Sequence, residues 1–153
     1  VIDKLTKNKC HTDQSQTTGC KYPPNLSFYD YVQNILADYS SRYEMEAHTI
    51  LHLLMLYGTN TPELLDLCLK NPLLKNKIST EHEDIEAQIV YAIRNESAYT
   101  LEDILTRRLT IGLSRDKIEK SVIQTISHYL SQEFELMARE RDKVTKELLT
   151  KGY

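Results

Sequence analysis

The chain has 153 residues, of which 41% are hydrophobic and 27% charged, with a net charge of −3. That length supports one domain with a real core, because a chain of this size buries roughly 70% of its unfolded surface, and the composition is too apolar for disorder. The acidic balance lacks the positive field that displaces counterions from phosphates, which argues against nucleic acid as a partner.

The apolar run ILHLLMLY, residues 50–57, is far short of the ~20 residues that cross a bilayer. The opening VIDKLTKNK has no apolar signal-peptide core. It reads instead as the end of a helix already under way, in a piece of a longer protein. Four glycines and four prolines leave few sites for the tight turns of an all-β fold. The expectation is therefore all-α: a compact array of about six helices preceded by a long polar loop. Residues 1–27 form the end of a preceding helix and that loop, and residues 28–153 form the helical domain.

Within the loop, residues 6–27 are polar, with one Gly and a Pro pair. A structureless run of this length is unusual inside a compact domain and fits a segment that lies against a neighbouring domain. Of the three cysteines, Cys10 and Cys20 flank the loop and Cys68 sits in an apolar pattern. Free thiols are expected, with Cys10 and Cys20 the pair that oxidation would join and Cys68 a small buried hydrophobe.

Ser27 is placed to cap a helix carrying Phe28, Tyr31, Val32, Ile35, Leu36 and Tyr39 at helical spacing. A second helix is predicted over 45–57, ended by Gly58 in the left-handed conformation. Thr61 as N-cap and Pro62 at the first helical position open a third, which Asn71-Pro72 stops. Thr80 and Glu83 make a capping-box pattern ahead of Ile85, Ile89, Ala92 and Ile93. Thr100 and Asp103 mark another start. Ser114 is expected to begin a helix bearing Ile118, Val122, Ile126 and Leu130. Charge pairs four apart, Glu135 with Arg139 and Asp142 with Lys146, suit a solvated helical face over 131–149.

Chemistry is sparse. The glycines stand at 19, 58, 112 and 152, too far apart for a dinucleotide turn or a phosphate loop, so this chain alone is expected to bind neither FAD, NAD nor ATP. His48 and His52 are four apart, but no metalloprotease glutamate lies between them and no acidic partner is near in sequence. They read as one surface and one half-buried histidine. Cys10, His11, Asp13 and Cys20 fit no standard zinc spacing, and the acidic residues at 81–86 lack the glycine and alternating oxygens of a calcium loop. No catalytic nucleophile stands out.

The stretch YAIRNESAYTLEDILTRR, residues 91–108, places Arg94, Glu96, Asp103, Arg107 and Arg108 between two apolar runs. Asp103 and Arg107 are spaced to pair along one helix face. Arg107 or Arg108 is expected to reach back to Glu96 and clasp two helices together. These five are structural candidates; catalytic, cofactor-binding and metal-ligating candidates are none.

The same block, IEAQIVYAIRNESAYTLEDILTRRLTIGL at 85–113, resembles the C-terminal helical domain of FAD-dependent glycerol-3-phosphate dehydrogenases and alpha-glycerophosphate oxidases. Tyr91, Ile93, Arg94, Ala98, Thr100, Asp103, Leu105, Arg107 and Arg108 carry the resemblance. HLLMLYGTNTPELLDLC and CHTDQSQTTG are similar to the family's segments upstream, so the likeness runs from about residue 10 to 140. It departs where Leu109, Thr110 and Ile111 follow the arginine pair.

The resemblance implies a non-catalytic domain packed on N-terminal FAD-binding and substrate domains, with a homodimer as a further arrangement it allows. The parent would oxidise sn-glycerol 3-phosphate to dihydroxyacetone phosphate through FAD, passing electrons to quinone or oxygen. It would sit at the surface of the cytoplasmic or mitochondrial inner membrane. Two rivals remain from the residues themselves. One is a free-standing helical module that docks a partner. The other, a helix-turn-helix over 80–125, is weakened by the acidic balance.

Overall fold

A computed structural model describes residues 15, 17–114 and 118–150, with side chains described as far as Arg139. Among them are six α-helices: α1 Phe28–Tyr43, α2 Ala47–Tyr57, α3 Thr61–Lys70, α4 Glu86–Asn95, α5 Leu101–Arg107 and α6 Lys120–Thr150. Short 3₁₀ turns, Gly58–Asn60, Pro72–Lys75 and Thr110–Leu113, join them. No strand occurs among the described residues beyond one isolated antiparallel bridge, Lys77 to Ile85. The opening VIDKL, the Cys10 pairing and the Asp142–Lys146 pair lie outside the described residues and side chains. None of the described helices is long and apolar enough to cross a membrane.

Helix α4 is the centre. Its seven residues Ala87 to Ile93 are all buried, so it is enclosed on every side, unlike an amphipathic surface helix with one buried stripe. Helices α3 and α6 and the turn at 72–75 pack on it, while α1 lies across α2 and α3. Burial of the Cys68 side chain among them pushes its thiol up to about 11, which keeps it an inert apolar filler.

Local chemistry explains most helix ends. Ser27 Oγ accepts from Asp30 N at 3.1 Å, and Thr100 Oγ1 accepts from Asp103 N at 3.0 Å, each satisfying an otherwise orphan donor. Other ends differ from the sequence reading. Thr61 lies inside α3 and donates its hydroxyl to Gly58 O at 2.8 Å, so Pro62 is the second helical residue. Gly58 has φ 55° but ψ −127°, outside the left-handed helical region and open in practice to glycine alone. The cause is a close approach: a Cβ on Gly58 would lie 2.0 Å from Gly19 O.

The capping box of Thr80 and Glu83 does not form. Helix α4 begins later, with Ile85 preceding it and Gln88 Oε1 accepting from Ile85 N at 2.8 Å; Glu83 is held elsewhere, by Thr49 and Lys77. Ser114 does not open α6, which starts at Lys120 and runs unbroken past Ser131. Ser127 and Ser131 bond back to Ile123 O and Ser127 O, so their hydroxyls stay within the helix and do not cap a new one.

Candidate functional site

The segment 76–86 folds back on itself through Ile78 N to Asp84 O and Glu86 N to Asn76 O, both 2.9 Å. That turn drives the Asp84 side chain into the core, where it is 0% exposed. Its Oδ1 accepts from Gln88 Nε2 at 3.3 Å and lies 3.0 Å from His52 Nε2. Its Oδ2 accepts from Thr110 Oγ1 at 2.9 Å and Ile111 N at 2.8 Å. An ionised carboxylate can only accept, so His52 carries its proton on Nε2.

Burial by itself raises the pKa of Asp84, but the bonds from His52, Ile111 N and Thr110 outweigh it and hold the carboxyl below the usual range. One side chain thus joins α2, α4 and the turn after α5. A carboxylate so fully occupied has no lone pair free to take a proton from a substrate.

A second group lies on the surface beside it. His48 Nε2 is 3.3 Å from Glu46, an acidic neighbour two residues back that the sequence reading overlooked, and 3.1 Å from Glu83, and Lys77 Nζ is 3.0 Å from Glu83. Thr49 donates to the other Glu83 oxygen at 2.6 Å. The two histidines therefore face different carboxylates, with Lys77 between Glu46 and Glu83. Among the described residues no group of three or more His, Cys, Asp or Glu is placed to hold a metal ion.

Arg94, Glu96, Asp103, Arg107 and Arg108 separate into three pairs. Arg94 reaches Glu133 on α6 by a two-pronged contact, Nε and Nη2 both at 2.7 Å, and Glu133 is only 6% exposed. Arg108 Nε lies 2.9 Å from Glu96 Oε2, yet these two buried atoms are too poorly aligned to count as a hydrogen bond. Arg108 Nη2 instead donates to the Glu96 carbonyl at 3.2 Å. Burial raises the Glu96 pKa, with Arg108 only partly offsetting it. Arg107 pairs with Asp103 at 2.9 Å on the exposed face of α5. The hydrogen bond from Thr100, together with Arg107, holds the Asp103 carboxyl below its usual range.

Sequence reasoning placed Arg94 in this block but could not supply its partner, which lies 39 positions on. It also treated Asp84 only as one of the acidic residues at 81–86 that make no calcium loop. The available signal was His52, a polar residue on the apolar face of α2, which needs a partner when buried.

At the other end of α2, Thr59 N donates to Gly19 O at 2.9 Å and Lys21 N to Thr59 Oγ1 at 3.1 Å. These bonds seat the loop of residues 17–21 against Gly58. Gly112 is equally confined, since a Cβ there would meet Leu105 O at 1.7 Å. The three described glycines thus stand at close backbone contacts within the fold.

Comparison with known proteins agrees with this architecture. The sequence model of the C-terminal domain of alpha-glycerophosphate oxidase matches residues 10–141. A glycerol-3-phosphate dehydrogenase of Synechocystis sp. is 41% identical over 69 residues, which are 45% of this chain and 12% of that protein. No solved structure gives a significant match. With the family profile covering nearly all the described helices, the chain belongs to the family of the C-terminal domain of alpha-glycerophosphate oxidase.

Proposed function

We propose that this chain is the non-catalytic helical C-terminal domain of an FAD-dependent glycerol-3-phosphate dehydrogenase or oxidase. The family match over residues 10–141 carries the reading. The parent would oxidise sn-glycerol 3-phosphate to dihydroxyacetone phosphate, with FAD held in its preceding domains supplying the acceptor for the C2 hydride and quinone or oxygen as the final electron acceptor, at a membrane surface where that acceptor is quinone. Flavin and substrate are held by the domains that precede this one, because the glycines and buried acids here are engaged within the fold.

In this reading Arg94, Glu96, Asp103, Arg107 and Arg108 are struts and have no part in the chemistry. The Arg94–Glu133 contact ties α4 to α6, and Arg108 ties the end of α5 to the end of α4. The test is spectroscopic. The parent polypeptide is expected to show an oxidised flavin spectrum that bleaches on adding glycerol 3-phosphate, and the purified 153-residue chain to show none. A stoichiometric flavin spectrum on the isolated chain would overturn the non-catalytic role; a parent flavin that glycerol 3-phosphate does not reduce would overturn the substrate.

A further inference from the structure

The cleft beside the pinned loop has no role within the domain. It measures about 370 Å³ and lies between residues 18–22 and the C-terminal end of α2, with Tyr57 and Glu96 in its walls. Met55 and Leu56 stand on its rim, 64% and 46% exposed. Large apolar side chains grouped at one helix end mark a contact surface more often than a solvated one.

We infer that this cleft and the Met55–Leu56 rim are the face on which the preceding domains of the same polypeptide seat, an inference that rests on the function proposed above. Chain direction supports this occupant. The two hydrogen bonds to Thr59 clamp residues 19 and 21 at the cleft, so the polypeptide arrives in the domain at this face. The close Gly19–Gly58 contact fixes the register of that arrival, since Gly58 has no room for a Cβ beside the Gly19 carbonyl and Gly19 holds a positive φ against Tyr57 O.

A body tethered through the residues ahead of Gly19 is present at an effective concentration on the order of mM, so a small apolar rim suffices to hold it. A second copy has no tether and needs on the order of 1,000 Å² of matched surface. One helix end does not supply that. The family is the C-terminal domain of alpha-glycerophosphate oxidase, so in this reading the domains ahead of it in the polypeptide are what must be seated.

Methionine oxidation tests the seating without any substitution. As the domain stands, Met55 is 64% exposed and Met137 on α6 is 37% exposed. Dilute hydrogen peroxide should then attack Met55 first. In the full-length parent the order is expected to reverse, with Met55 slowed about tenfold or more relative to the urea-unfolded chain, as oxidation follows exposure. Met55 reacting as fast as Met137, or faster, would overturn the inference. So would protection that disappears on dilution, because the occupant would then be a second copy. The same preparation is assayed for flavin reduction by glycerol 3-phosphate. Reduction with an unprotected Met55 refutes this face alone, whereas absent reduction refutes the reading beneath it.

Discussion

Two polar regions of this domain invite opposite readings from sequence and structure. Residues 94–108 display six charges at conspicuous spacing, and most of them end on or near the surface. Asp84 sits in an ordinary acidic stretch, yet it is the carboxylate around which α2, α4 and the turn after α5 are assembled. Charge density along the chain is thus a poor guide to what a charge does. The deciding quantity is how much solvent is lost and how many donors replace it.

The largest expected effect comes from Asp84→Ala. It strands the half-buried His52, the Gln88 amide, the Thr110 hydroxyl and the Ile111 N–H, and should cost about 3–5 kcal/mol in urea unfolding. Retained stability would erase the contrast between the two regions. Arg94→Ala comes next, at about 2 kcal/mol, because it leaves the buried Glu133 without its two charged donors while Arg94 itself is half in water. Arg108→Ala should cost about 1 kcal/mol, given its imperfect alignment with Glu96 and its partial exposure. Thermal melts of the two variants rank them.

The pH dependence sharpens the comparison, because the two carboxyls shift in opposite directions. The depressed Asp84 contributes stability above the unfolded value of about 3.9, and this is lost as pH falls through its lower folded value. The raised Glu96 favours the protonated form in the fold, so its contribution is present below about 4.3 and lost as pH rises through its folded value. Glu96→Gln should therefore melt higher than the parent domain at pH 7 and alike at pH 3, whereas Asp84→Asn should lose stability at pH 7 and flatten the acid limb. The smallest effect is Arg107→Ala: its pair with Asp103 is exposed and screened, and the melting temperature should not move measurably.

Much of the fold was legible because its signals are local. Ser27 and Thr100 caps, the helical spacing of Val32 and Ile35 or Ile89 and Ile93, and the Asn71-Pro72 stop all act within a turn or two of chain. Two of the misread helix boundaries share one cause. At Thr61 and Glu83 a residue type suited to capping was diverted: Thr61 to the Gly58 carbonyl and Glu83 to Thr49 and Lys77. At Ser114 the helix simply begins later, at Lys120. Glu44 and Ser97 adopt positive φ at the ends of α1 and α4, which no glycine announced.

By itself, then, the sequence determined the all-helical class, the order of the helices and the family, through the block at 85–113 and its local periodicity. Only the tertiary structure decided which charges are buried. The partner of His52 lies 32 positions away and that of Arg94 39 positions away. Such pairings follow from how α4 is enclosed by α3 and α6, a property of packing that no local window of residues contains. The same holds for the seat of the polar loop. Gly19 and Gly58 meet backbone to backbone because Gly58 lacks a Cβ, and that contact exists only once both ends of the chain segment are in place.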